Sequence, residues 1–389
     1  MVLLLKVLLK EVLAALHHYK PHQTDVLRAH YSFLFFHTER FIKLCILKNR
    51  MSIVAHKDVG ETKESFFKAV SDVMELAEWK KYIGNSVFLK LNCVSDRVIP
   101  GQCTSPWVFE AVVKKLRSKK DIKIYAGDSY TVTNKQIERC FEAWGYNKIA
   151  KRYDVEIVNL SKQPMVRKNI GGEIFKELDI PKLLLDVDSI VTLPVLKTHY
   201  ITKMTFSLKN QWGCLTTIRH RYHNVASQCI AELNKFLKVS FAVGDASVCS
   251  EGHGPRVGKP KIMNSVLASN DLVALDTVGA KMIGIDSVEQ IEYAHKLGIG
   301  NKNYQLKGDE IKISKFEPAI LKTHIISLIE MNLRKIPLIN KIIFDTPLFK
   351  IPAYLTALMN DLWYYKKGRF LPRPILKNKM YKEEFGDLV

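Results

Sequence analysis

From residue 87 onward short β-rich runs alternate with amphipathic helical runs, and this alternation limits the fold more than any other feature. VFLKLN reads as a strand, SPWVFEAVVKKLRS as a helix with Pro106 near its first turn, and KIYAGD as a second strand. NKQIERCFEAWG and VEIVNL complete a β-α-β-α-β series. Such a series predicts a parallel or mixed sheet flanked by helices. Ahead of it, MSIVAHKD reads as an opening strand and SFFKAVSDVMELAEW as an amphipathic helix. Beyond it, the strand candidates are SIVTLPVLK, MTFSLKN, VSFAVGDAS and IMNSVLAS. The helices DLVALDTVGAKMIG and VEQIEYAHKLG follow, and IKISK is expected to close the sheet.

The expected architecture is α/β and two-lobed, with mixed or parallel sheets flanked by helices and a helical C-terminal tail. A first lobe is expected at residues 51–160 and a second at 161–315, meeting near residues 160–185. Residues 316–389 form a basic, aromatic tail that Pro337, Pro347 and Pro352 divide into short helices. Residues 1–50 are rich in Leu, His, Phe and Lys with only a loose helical period. The text changes at Met51, which is the expected start of the domain; residues 1–50 are then an upstream mistranslation or a helical extension.

A chain of 389 residues with 47% apolar content can bury a substantial core. Its formal charge of +20 points toward anionic partners, but the excess is uneven. Residues 1–50 carry 8 Lys/Arg against 3 Asp/Glu and residues 311–389 carry 14 against 7, leaving +8 for the middle of the chain (20 − 5 − 7). The seven cysteines stand at least ten residues apart with no C-x-x-C pair, so no iron–sulfur cluster or zinc ribbon is expected. Their odd number, with no secretory leader, suggests reduced thiols in a cytoplasmic protein. No stretch reaches the roughly 18 uninterrupted apolar residues of a membrane span.

The most informative segment is LPVLKTHYITKMTFSLKNQWG, from Leu193 to Gly213. In extended backbone Lys197 and His199 project to one side, and MTFSLKN alternates strictly, with Thr205, Ser207 and Lys209 on one face. That row is either the polar outer face of a half-buried strand or a receiver for a carboxylate or phosphate, with His199 exchanging a proton near neutral pH.

LPVLKTH followed by TFSLKNQWG resembles the signature of the family known as domain of unknown function 362. Around it, Lys90 and Asn92 in VFLKLNCVSD and Gly127-Asp128-Ser129 in IYAGDS resemble the family's strand-borne polar residues. So do His223, Asp245 in VGDASV, the EGHGPRVG loop and ASNDLVALDTVGAKMIG; the likeness runs from about residue 51 to 305. Two departures stand out. The ferredoxin-like cysteine motifs of many members are missing, which puts in doubt any electron-transfer role inferred from those relatives, and Leu91 replaces a proline common in the lysine strand.

The residues then sort by chemistry. Asp128 and Ser129 end a strand where open α/β sheets bind ligands, or serve only as a turn or cap. Gly254 lies in a glycine-rich loop whose backbone can approach a ligand closely. Asp245 and Glu251 suit a divalent cation or acid–base work, and His223 with His220 is a conceivable metal pair or a solvated patch. Asn270 or Asp271 is expected to cap the helix that includes Asp276.

Read together, Lys197, His199 and Asp245 are the candidate reactive groups. Lys90, Asn92, Asp128, Ser129, Lys209, Asn210 and Gly254 are the candidate ligand-binding groups, and His223 and Glu251 the candidate metal ligands. The expected partner is a small anionic ligand in a cleft between lobes; neither the cofactor nor a reaction is defined by the sequence. The alternative is a scaffold held on an anionic membrane surface by the tail WYYKKGRFLPRPILKNK, through Trp363, Tyr364, Tyr365 and Phe370. Nucleic acid is a weaker third option, because no recognition motif accompanies the charge.

Overall fold

Side chains alternate between the two faces of a strand, and in this chain both faces of the central sheet are covered. The computed structural model describes residues 51–131, 137–215, 219–319, 332 and 335–389. The expectations for residues 1–50, Cys45 included, lie outside them.

The strands are β1 (Ser52–Asp58), β2 (Ser86–Lys90), β3 (Lys123–Asp128), β4 (Glu156–Asn159), β5 (Met165–Asn169) and β6 (Glu177–Pro181). They continue with β7 (Ser189–Thr192), β8 (Val195–His199), β9 (Lys203–Thr205), β10 (Phe241–Glu251), β11 (Lys259–Ser269) and β12 (Tyr304–Gly308). A ten-stranded sheet runs β12-β1-β11-β10-β7-β2-β3-β4, with β8 paired to β10 and to β9. From β10 to β4 the neighbours are parallel. β11 is antiparallel to both of its neighbours, and β12 is parallel to β1. β5 and β6 form a separate antiparallel ribbon in the segment expected to join two lobes.

The helices are α1 (Lys63–Leu76), α2 (Pro106–Leu116), α3 (Ile137–Ala143), α4 (Tyr146–Arg152), α5 (Leu183–Asp186), α6 (Ser207–Asn210) and α7 (Ala226–Leu237). After them come α8 (Leu272–Met282), α9 (Glu289–Lys296), α10 (Pro337–Asp345), α11 (Lys350–Lys366), α12 (Pro372–Ile375) and α13 (Lys379–Phe385). Local chemistry explains their starts. Thr62 and Ser65 form a reciprocal cap on α1, Ser105 caps α2 with Pro106 behind it, and Asp271 accepts from Val273 N and Ala274 N to cap α8.

Two apolar clusters sort by strand parity. Val87, Leu89, Val191 and Val243 join Phe66, Val108, Phe141 and Tyr381 on one side. Phe88, Ile190, Ala242 and Leu267 join Phe206, Ile230 and Val273 on the other. The two groups of elements read as successive lobes are therefore continuous through one sheet: β2, β3 and β4 pair onward through β7 to β10. Helices from the first stretch pack one face and those from the second stretch pack the other. Periodicity marks a helix's apolar side but not the face of the sheet it meets.

Three strand expectations need correction. SIVTLPVLK is two strands, β7 and β8, separated at Leu193 and Pro194, the proline having no N–H to give a ladder. IKISK is not a strand; the closing strand lies upstream at Tyr304–Gly308, where Ser52–His56 offer a parallel edge. MTFSLKN stays extended only through Thr205 and then turns into α6. Buried Asp276 accepts from Ser207 N (2.6 Å), Ser207 Oγ (2.5 Å) and Leu208 N (3.2 Å), satisfying the first donors of a helical turn. The row Thr205, Ser207, Lys209 on one strand face does not exist.

The last helices of the expected helical tail pack against the sheet's cover. Ile375, Met380, Tyr381 and Phe385 are buried, and Tyr381 Oη donates to Ser247 O (3.1 Å) and Asn264 Oδ1 (2.6 Å). Glu384 bonds Ser105 Oγ and accepts from Trp107 N (3.2 Å). The chain end is thus bolted to the start of α2.

Candidate functional site

β2 leads through α2 to β3 on one side, whereas β7, reached later, lies against β2 on the other and leads on to β10. The chain reverses its direction of travel between β2 and β7, and at such a switch point the strand ends diverge and leave a crevice. Lys90, Thr192 and Asp128 are the final residues of β2, β7 and β3. The candidate residues gather there.

The innermost pair is Lys90 and Asp128, Nζ to Oδ1 at 2.9 Å, both buried. Lys90 Nζ also donates to Leu91 O (2.6 Å), while Asp128 accepts from Ser129 N (2.8 Å) and Cys93 N (2.9 Å). Gly213 lies over this pair. A Cβ there would stand 2.3 Å from Asp128 Oδ1 and 2.6 Å from Lys90 Nζ, so the close approach requires glycine.

Asn210 Nδ2 donates to Lys90 O (3.0 Å) and Thr192 Oγ1 (2.8 Å), spanning the switch point; its Oδ1 is buried with no hydrogen bond. Lys197 on β8 is buried, and its Nζ donates to Asn92 Oδ1 and to Gln102 O (2.7 Å). Burial lowers its pKa to about 8 against the pull of Cys103, Asp245 and Asp128. Asp245 accepts from Ser105 N (2.8 Å), Ser247 N (3.0 Å) and Ser247 Oγ (2.6 Å). Burial still raises its pKa above the ordinary carboxylate value.

Lys209, at the second turn position after Ser207, is partly exposed. Burial, Arg219 and Lys197 lower its pKa to about 7. Arg219 itself is buried and donates to the carbonyls of Trp212 (2.7 Å) and Tyr130, not to a carboxylate. His199 is buried, and its Nδ1 accepts from Ile201 N (3.0 Å), so the neutral ring carries its proton on Nε2. Burial and the nearby Lys209 and Lys197 hold its pKa well below 6.5. A ring held neutral in this way does not fit the proton exchange near neutral pH expected of His199.

The remaining candidates lie elsewhere or are already engaged. Gly254 packs on β8: a Cβ there would stand 2.2 Å from Thr198 O, and Thr198 Oγ1 ties down Gly252 O (2.8 Å). That glycine is required by the strand beneath it. Glu251 pairs with Lys261 (2.8 Å) and accepts from Glu317 N (3.0 Å). His223 stacks obliquely beside His220, ring centroids 4.6 Å apart. Among the described residues no group of three or more His, Cys, Asp and Glu has the geometry to hold a metal.

Sequence reasoning missed several participants. Arg219 carries no signal in the sequence beyond its charge, and nothing in the residues around Gly213 says why it must be glycine. Asp276 was visible as a lone acid in an apolar helix yet read only as helix chemistry. Cys93, Cys103 and Cys140, far apart in sequence, bring their thiols into contact beside this loop; burial and the two neighbouring thiols push Cys140 well up.

A doubly covered, mostly parallel sheet whose chain reverses direction between β2 and β7 places the protein in the doubly wound class of α/β architecture. Within that class the chain belongs to the family described as domain of unknown function (DUF362), whose model matches residues 87–281, from β2 into α8. A thylakoid-associated protein of Synechocystis sp. is 26% identical over 211 residues, which is 52% of this chain and 64% of that protein. The chain therefore spans less than two thirds of that relative's length. Among solved structures, the lactate racemase apoprotein of Thermoanaerobacterium thermosaccharolyticum aligns with a TM-score of 0.40 at 14% identity, over 61% of this chain and 58% of that one. A Thermotoga maritima protein aligns with a TM-score of 0.32, also at 14% identity, over 65% and 62%.

Proposed function

We propose that the crevice between the ends of β2 and β7 binds a small carboxylate- or phosphate-bearing ligand. Lys209 and Arg219 receive the charge, Asn92, Asn210 and Lys197 line the floor, and neutral His199 donates from Nε2. One observation carries the reading: among the described residues Lys209 has no carboxylate or hydrogen-bond partner, while burial first, and then the nearby Arg219 and Lys197, lower its pKa to about 7. A cation beside two others, partly removed from water, is unfavourable until an anion joins it.

The same electrostatics bring acid–base chemistry within reach. A lysine that titrates near neutral pH can give or take a proton from a bound ligand, and anion binding drives it toward the ammonium form. Calorimetric titration of the protein with orthophosphate and with simple mono- and dicarboxylates, in two buffers of different ionisation enthalpy, tests both statements. Binding accompanied by net proton uptake at pH 7 to 8 is the expected result. Absence of binding across all of these anions would overturn the proposal, and binding with no proton uptake would remove Lys209 from it.

A further inference from the structure

The surface formed by α10 and α11 is unlike the rest of the described surface. Among the described residues seventeen large apolar side chains are exposed, and twelve of them fall between Ile336 and Phe370. α11 buries none of its residues. Along it Ile351, Leu355, Leu358, Leu362 and Tyr365 recur at intervals of four and three, which makes one continuous stripe on a helix. Scattered apolar side chains are ordinary on a protein surface, but a contiguous strip of this kind marks an interaction site.

Charge identifies what covers it. From Lys335 to Arg373 there are seven Lys/Arg and two Asp/Glu, a net +5, and one of the two acids, Asp361, faces Arg97 at 3.6 Å. Two copies apposed through this face would bring +5 against +5 around a drying interface. A surface rich in phosphates neutralises the lysines while accepting the leucines. The 17-residue α11 is shorter than a membrane span, and none of the described helices is long and apolar enough to cross one.

We propose that α10 and α11 lie on an anionic lipid surface, with the aliphatic stripe at the headgroup boundary and Lys350, Lys366, Lys367 and Arg369 against lipid phosphates. The contact differs from the aromatic anchor that the sequence suggested. Trp363 and Tyr364 are only partly exposed, and the Arg97 guanidinium sits 5.0 Å and 5.4 Å from the ring centres of Tyr364 and Tyr365. Leucine and isoleucine make the apolar surface instead. Arg97 belongs to the loop after β2 that also carries Asn92 and Gln102, so a docked α11 sets the crevice close to the lipid.

Co-sedimentation of the full chain with phosphatidylcholine vesicles, with and without phosphatidylserine, tests the proposal independently of any small ligand. The protein is expected to pellet with the anionic vesicles and to be released by high salt. Leu355→Gln with Leu358→Gln, both exposed, should melt with the parent yet lose binding roughly tenfold or more. Lys366→Gln with Lys367→Gln should lose about as much on anionic vesicles only. Failure of the parent to pellet with either vesicle would overturn the proposal, as would leucine variants that bind like the parent. So would a dimer in sedimentation velocity that the leucine variant converts to monomer, since the face then belongs to a second copy.

Discussion

Replacing Lys209 with methionine separates a ligand-binding lysine from a structural one, because the two roles predict opposite changes in stability. A pKa lowered from 10.5 to about 7 means that the surroundings of Lys209 disfavour its ammonium form. At about 1.4 kcal/mol per pH unit, the full displacement corresponds to about 5 kcal/mol at low pH. The side chain is partly exposed, and solvent screening reduces the effective penalty to ~2 kcal/mol. Methionine keeps the methylene packing and removes the charge, so the variant is expected to melt about 2–3 °C higher at pH 7.

The pH dependence supplies a second signature. Between the folded pKa of about 7 and the unfolded value of 10.5 the unfolded chain holds a proton that the folded chain has released, so this group makes stability rise with pH across that window. The advantage of Lys209→Met should therefore be largest at or below pH 7 and shrink toward pH 10. Thermal melts of parent and variant over that range, with and without orthophosphate, read both effects. Orthophosphate should stabilise the parent and leave the variant where it was. A variant that melts below the parent at every pH would refute the reasoning and make Lys209 a structural residue.

Two further substitutions address the supports of the crevice. Gly213→Ala pushes a methyl group against Asp128 and Lys90; a loss of about 1–3 kcal/mol in denaturant unfolding is expected, and an unchanged midpoint would mean that the turn moves freely. Asp276→Ala leaves Ser207 N and Leu208 N without their acceptor in a buried place. It should cost about 2–4 kcal/mol and weaken orthophosphate binding through α6, whereas a variant as stable as the parent would show that α6 holds its turn unaided.

The legible part of the sequence was the part in which local chemistry decides. β2, α2 and β3 follow from run length, Ser105-Pro106 and a strand ending in Gly-Asp-Ser. The family signature was visible because its polar residues sit at strand ends with short spacing. What could not be read was set by partners distant in the chain. MTFSLKN satisfies the alternation of a strand, and only Asp276, on another helix, converts its second half into α6. Lys90 and Asp128 were both singled out, but nothing local says that they pair or that Gly213 closes over them. His199 was found by residue type, while the burial and neighbouring cations that keep it neutral come from the fold.

The open charge at the crevice follows from how the acids are spent. Three buried aspartates stand on the strands and helix around it, enough to neutralise the surrounding cations if they faced them. Asp128 is occupied by Lys90 and two backbone N–H groups. Asp245 is occupied by Ser105 and Ser247, and Asp276 by Ser207 and Leu208. Each carboxylate holds a loop or a helical turn, and only Asp128 also meets a lysine directly. Lys209 and Arg219 are left near one another's charge, and the guanidinium donates to carbonyls, with Asp128, already paired to Lys90, the acid in its neighbourhood. Satisfying them from within would take a fourth acid, and an acid there would close the crevice to any anion arriving from solvent. The imbalance costs stability, and it is what the proposed carboxylate or phosphate would relieve.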